Sequence, residues 1–129
     1  MNREIIFRGK RKDTGEWTEG YFFKIWDRVF LLWGMTNDNP NMTEVIPETV
    51  SQFIGLIDRY RKKIFEGDIV NIVTGINGYK STYSSTIQEV KYIADNGIAV
   101  FYPFDNSDIV EVEVIGNIYD NKELLDGKD

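Results

Sequence analysis

Hydrophobic and polar positions along this chain alternate mainly with a period of two. Ile5 and Phe7 against Glu4, Ile6 and Arg8 predict a short strand near the N-terminus that Gly9 ends or bulges. Asp13-Thr14-Gly15-Glu16 carries turn chemistry, and Trp17 to Tyr21 reads as the returning strand. Tyr21 to Trp26 and Val29 to Trp33 are two aromatic and branched runs about Asp27-Arg28, which predicts a hairpin with that pair in its loop. Runs this apolar suit strands covered on both faces, or one face completing an interface.

Residues 34 to 42 are rich in turn formers and are expected as an exposed loop. Thr43 to Ile46 should be extended, Pro47-Glu48-Thr49 a turn, and Val50 to Leu56 a strand. A charged connection, 57 to 62, leads into the tight turn and strong strand of residues 63 to 73, and 75 to 85 reads as a second long loop. From Thr86 a three-strand meander is expected: Ile87 to Ile93, a turn at Asn96-Gly97, Ile98 to Phe104, and a strand in which Val110, Val112 and Val114 alternate with a solvated Glu111 and Glu113. Asn121 to Leu125 suits a helical turn. Strands at about 8 to 12 residue spacing without a long helix predict an all-β fold, a small barrel or sandwich with SH3-like barrel elements. The expected organisation is a single domain over 1–129, with a seam between two β lobes near 57–62.

Composition narrows the chemistry. The chain has 129 residues, no cysteine and no histidine, which removes disulfides, thiolate sites, Ser-His-Asp and Cys-His hydrolases and zincins. A non-enzymatic protein is expected, with no catalytic residue, metal or cofactor assigned. No apolar run reaches the roughly 18 residues of a membrane span, and Met1-Asn2-Arg3-Glu4 lacks signal-peptide character. The expectation is a cytoplasmic protein, with no membrane partner.

Charge is unevenly spread. Residues 1–65 hold 11 Lys/Arg and 9 Asp/Glu, a balance of +2, whereas residues 66–129 hold 4 and 12, a balance of −8. Such an asymmetry suits head-to-tail assembly, or solubility alone. Two basic clusters stand out, Arg8/Lys10/Arg11/Lys12 and Arg59/Tyr60/Arg61/Lys62/Lys63, the second with an aromatic that could stack on a base. It is the candidate polyanion site, although a pI near 4.7 disfavours nucleic acid. The aromatic series from Trp17 to Trp33 exceeds the needs of one sheet face, which makes Trp26 and Trp33 candidate interface residues for an unknown protein partner or a second copy. Glu48, Glu66, Asp68 and Asp120 could bridge a cation, but Glu66-Gly67-Asp68 is more simply a turn.

Four ordered blocks carry a family resemblance. They are Arg3-Glu4-Ile5-Ile6-Phe7-Arg8, the block from Pro47 to Leu56, Lys63-Ile64-Phe65-Glu66-Gly67-Asp68-Ile69-Val70, and Val114-Ile115-Gly116-Asn117-Ile118-Tyr119. In these the chain resembles the YopX family of phage and prophage proteins. The resemblance implies a phage or prophage origin, hence a bacterial host cell, and a mainly β fold, and it carries no biochemical activity. Members commonly have an Asp-x-Asn-Gly turn before the third block, where this chain has Ile57-Asp58-Arg59-Tyr60-Arg61-Lys62. The third and fourth blocks read as structural punctuation, so a binding role is expected in the 59–63 loop, the 21–33 hairpin or the acidic C-terminal face.

Overall fold

Period-two patterning governs the chain: among the described residues eleven strands, one turn of 3-10 helix and one short α-helix run in the order β1 (Phe7–Lys10), β2 (Trp17–Ile25), β3 (Arg28–Thr36), β4 (Asn39–Val45), the 3-10 turn Pro47–Thr49, β5 (Ser51–Ile57), β6 (Lys63–Phe65), β7 (Asp68–Ile76), β8 (Tyr79–Glu89), β9 (Lys91–Asp95), β10 (Ile98–Tyr102), β11 (Ile109–Asn117) and α1 (Glu123–Asp126). The computed structural model describes residues 5–77, 79–95, 98–104 and 108–126. The fold is all-β, built of antiparallel sheets, and no closed barrel forms among the described residues. The chain divides into two compact units, one ending at Gly55 and the other beginning at Leu56.

In the first unit the strands lie in the order β4-β3-β2-β1-β5. β1 continues through Gly9, which pairs with Thr18, instead of stopping there. A Cβ at Gly9 would sit 3.2 Å from the Val45 side chain, so the missing side chain is what lets Val45 pack onto the strand. The far end of β4 reaches back to the end of β1 through the Arg11–Val45 bridge, with Ile46 N–H donating to the Lys10 carbonyl and Lys12 N–H to the Glu44 carbonyl. Val29, Leu31 and Val45 form the core of this unit, with Phe7 and Val50 packed against them.

One loop expected in this unit is strand and turn. The 34–42 segment is a hairpin: Asn37 and Asp38, at φ 52 and 67, make a two-residue turn between β3 and β4. Asn and Asp tolerate left-handed backbone, and Pro40 is accommodated because β4 is an edge strand. In the β2–β3 hairpin Ile25 pairs with Arg28, so the loop is Trp26-Asp27 and not Asp27-Arg28.

In the second unit β7 is central, flanked by β11 and β8, while β9 and β10 form a separate two-stranded ribbon. The expected meander is therefore not formed, since β11 pairs with β7 and not with β10. The 87–93 run breaks at Val90, which is fully buried and exchanges hydrogen bonds with Asp68 and Gly67. Residues 79–85, expected as loop, belong to β8. Their register is irregular: Ile76 faces Tyr79 and Thr74 faces Ser84, so Gly75 alone opposes the four residues Lys80 to Tyr83. Thr82 Oγ1 braces this bulge, accepting from Ile76 N–H and donating to the Tyr79 carbonyl. The Asn96-Gly97 turn lies outside the described residues.

Two blocks that carry the family resemblance meet here. Gly67, at φ 88, forms the turn between β6 and β7, and its carbonyl accepts from Ile118 N–H. A Cβ at Gly67 would stand 3.3 Å from the Tyr119 ring. Left-handed backbone and a ring in contact both call for glycine. Asn117 Oδ1 accepts from Tyr119 and Asp120 N–H, closing the turn that presents this ring.

Candidate functional site

The connection from Asp58 to Lys62 is held by one carboxylate. Asp58 is 6% exposed. Its Oδ1 accepts from Tyr60 N–H at 2.8 Å and Lys62 N–H at 2.9 Å, and its Oδ2 from Val114 N–H at 3.0 Å. Burial raises the Asp58 carboxyl, but the amides of Val114, Lys62 and Tyr60, together with the Lys62 charge, outweigh it and hold the group below its ordinary value. Arg59 N–H donates to the Val112 carbonyl. The loop is thereby fastened along the outer edge of β11, which masks part of an edge that would otherwise offer unpaired backbone groups.

Asp58-Arg59-Tyr60-Arg61 stands where the resemblance implies an Asp-x-Asn-Gly turn. Arg61 occupies the glycine position at φ 67, a conformation that costs a residue with a Cβ about 1–2 kcal/mol. Of the predicted polyanion residues, Arg59 is committed to Glu111 at 2.7 Å and lies 5.2 Å over the Tyr60 ring. Tyr60 is 66% exposed, Arg61 and Lys62 are exposed and Lys63 is half-buried. Beside the loop, Ile57, Ile109, Val110 and Val112 line a shallow recess of about 300 Å³.

The N-terminal basic cluster is largely consumed within its own unit. Arg8 is buried, donates to Ser51 Oγ and stands over the Trp17 ring. Arg11 pairs with Asp13 and Lys12 with Glu44. Asp68, of the candidate carboxylates, is buried and accepts from Phe65 N–H at 2.8 Å, an inward turn closure. Among the described residues no group of three or more acidic side chains is arranged to hold a metal ion.

The aromatic hairpin is where apolar surface is left open. Register places Tyr21, Leu32 and Met42 side by side across β2, β3 and β4, then Phe23, Phe30 and Glu44, then Ile25 and Arg28. Residues opposite one another share a sheet face, so these side chains line the face opposite the Val29–Leu31–Val45 core. Tyr21, Ile25 and Met42 are exposed, while Phe23, Phe30 and Leu32 are half-buried. Phe23 and Phe30 stack with centroids 5.3 Å apart. Arg28 closes one end of the row: it stands 5.2 Å over Phe30 and grips Glu44 through Nη2 at 2.8 Å and Nε at 3.2 Å. With Lys12 also on it, the Glu44 carboxyl is held down to about 2.

Both predicted interface residues are open to solvent, in different settings. Trp26 crowns the hairpin tip, 89% exposed, at φ 55. An aromatic residue in left-handed backbone is a conformational outlier. Trp33 is 50% exposed at a bulge between Leu32 and Gly34 and donates Nε1–H to Thr43 Oγ1 on the core-side face. The row is hidden in the sequence because the first part of β4, residues 39–42, falls in the segment expected as loop. The Asn37-Asp38 pair was the signal that could have revealed it.

The charge division follows the units less sharply than it follows the sequence halves. Residues 1–55 hold seven Lys/Arg and eight Asp/Glu, leaving −1, and residues 56–129 hold eight and thirteen, leaving −5. The basic 59–63 loop therefore lies in the acidic unit.

No helix among the described residues is long and apolar enough to cross a membrane. No curated protein matches the chain. Among solved structures, the chain is similar to that titled "Crystal structure of protein EF1440 from Enterococcus faecalis", at 20% identity and TM-score 0.50, over 96% of this chain and 99% of that one. That likeness concerns the fold alone. The family model described as YopX protein matches residues 6–126, and with nearly the whole sequence so covered, the chain belongs to the YopX family.

Proposed function

We propose that this is a non-enzymatic, phage- or prophage-encoded binding module of the bacterial cytoplasm that engages a protein through the outer face of β2–β4 and the Trp26 tip. The observation that carries the reading is the apolar row Tyr21–Leu32–Met42 and Phe23–Phe30, left open and crowned by a tryptophan in an outlying backbone conformation. Apolar surface on both faces of one sheet is a reason to bury the second face elsewhere. Backbone strain that serves no packing need points to a functional demand on the side chain. The lack of histidine and cysteine supports a role without catalysis.

The test is quantitative capture of partners from bacteria carrying the phage, using the wild-type chain and a Trp26→Asn, Tyr21→Lys variant. Any specific partner should be lost with the variant. Equal recovery on both would exclude this face.

A second reading, single-stranded nucleic acid at residues 59–63, is favoured by the exposed Tyr60 ring beside Arg59, Arg61 and Lys62. Titration with single-stranded DNA and RNA at two salt concentrations addresses it. Binding that is unchanged by Arg61→Glu with Lys62→Glu would place any such site elsewhere.

A further inference from the structure

We infer that the occupant of the outer β2–β4 face is a second copy of this chain, the two faces packing on each other about a two-fold axis. The inference rests on the binding-face reading above and adds the identity of the partner. Three features of the face select a copy of itself. The surface is compatible with itself in charge: at its charged end Glu44 is held between Arg28 and Lys12, so an isologous contact brings both signs, already joined, against their equivalents. The unit that bears it is nearly neutral, at −1, whereas residues 56–129 carry −5. Two copies can therefore approach on this unit with little repulsion.

Extent is the third feature. Tyr21, Ile25 and Met42 are exposed, with Phe23, Phe30 and Leu32 half-open beside them. Together they offer apolar area on the order of 500 Å², at the upper end of what a monomer leaves bare. Doubled across a two-fold axis, this comes to about 1,000 Å², where specific protein interfaces begin. Packed so, the outer faces would form the second layer that a sheet apolar on both sides lacks, as in a sandwich.

Light scattering coupled to size exclusion, across concentration and salt, reads the assembly directly. The wild-type chain should run at twice its chain mass. Tyr21→Lys with Met42→Lys puts like charges into the middle of the contact and should raise the dissociation constant by about thirtyfold or more, with an unchanged circular dichroism spectrum. Since the chain has no cysteine, single-cysteine variants give an independent check that does not depend on the charged variant folding. Cysteine at Tyr21, Ile25 or Met42 should yield a disulfide-linked pair from at least one position. Lys24→Cys, on the side shared with Val29, should remain a free thiol.

A wild-type chain at single mass up to the highest concentration overturns the inference. So does a double-mass species that survives Tyr21→Lys with Met42→Lys, or one that cross-links through position 24 and not through the outer face. A monomer that captures a different protein through this face overturns the self-pairing while leaving the binding-face reading intact.

Discussion

Replacing Asp58 by alanine should loosen the second unit out of proportion to the size of the change. The side chain accepts three backbone hydrogen bonds at 2.8, 2.9 and 3.0 Å. The three do not contribute equally. Water can take over at the Tyr60 and Lys62 amides, which lie in an exposed loop, so their loss costs about 0.5–1 kcal/mol each. The Val114 bond is buried, and leaving that amide without its charged acceptor costs about 2–3 kcal/mol. The expected total is about 3–5 kcal/mol. With a urea dependence of about 1–3 kcal/mol per molar, the midpoint should fall by about 1–5 M.

Because the chain has two units, the unfolding must be followed unit by unit. Trp17, Trp26 and Trp33 all precede Gly55, so tryptophan fluorescence reports the first unit and serves as an internal control. Amide exchange at Val114 and Lys62 reports the second. Asp58→Asn keeps one acceptor oxygen but presents an amide donor to the remaining N–H, and should cost about 2 kcal/mol. If Asp58→Ala stays within about 1 kcal/mol of wild type, with exchange at Val114 unaltered, the carboxylate is not the fastener described.

Trp26→Asn should raise stability by about 1 kcal/mol, because asparagine tolerates the left-handed turn, and thermal melting monitored at Trp17 and Trp33 checks it. A loss of stability would show that the indole packs in the free protein. Arg61→Asn should gain a similar amount, about 1 kcal/mol, by the same argument, read by urea titration of the second unit. Gly67→Ala should lose about 2 kcal/mol, from positive φ and from displacing the Tyr119 ring, with the Tyr119 ring resonances shifted in the NMR spectrum. Glu44 and Asp58 both have lowered folded-state pKa values, so each contributes stability above its unfolded pKa that is lost as pH falls through the folded one. Stability should therefore decline below about pH 4.5, and the Glu44 carboxyl should titrate near 2. A Glu44 midpoint above 4 would mean that Arg28 and Lys12 do not hold it in solution.

Apolar runs and alternation placed β2, β3, β5, β7 and β11 to within a few residues. Where the sequence misled, local polarity stood in for exposure. Residues 39–42 and 79–85 are polar because they lie on edge strands, one facing solvent through Asn39 and Asn41 and the other through its serines and threonines, and edge strands need not be apolar. The break at Val90 could not be read from alternation, since it comes from the Gly67 turn arriving to share its hydrogen bonds. Of the candidate sites, Trp26 and Tyr60 are as open as their surroundings suggested. The partners of Arg8, Lys12 and Arg59 were not legible, because Ser51, Glu44 and Glu111 are brought to them by the fold from 43, 32 and 52 residues along the chain.

The uneven pairing of β7 with β8 has a practical consequence. Four residues from Lys80 to Tyr83 are spanned by one across the ladder, so the strand already stores surplus chain at an exposed place. Lengthening it there should disturb little else, which recommends the 80–81 junction for a peptide epitope or a fluorophore attachment point. Deleting the surplus would do the reverse: a straightened β8 would present an unbroken edge, and a variant lacking these residues should precipitate where the parent stays clear.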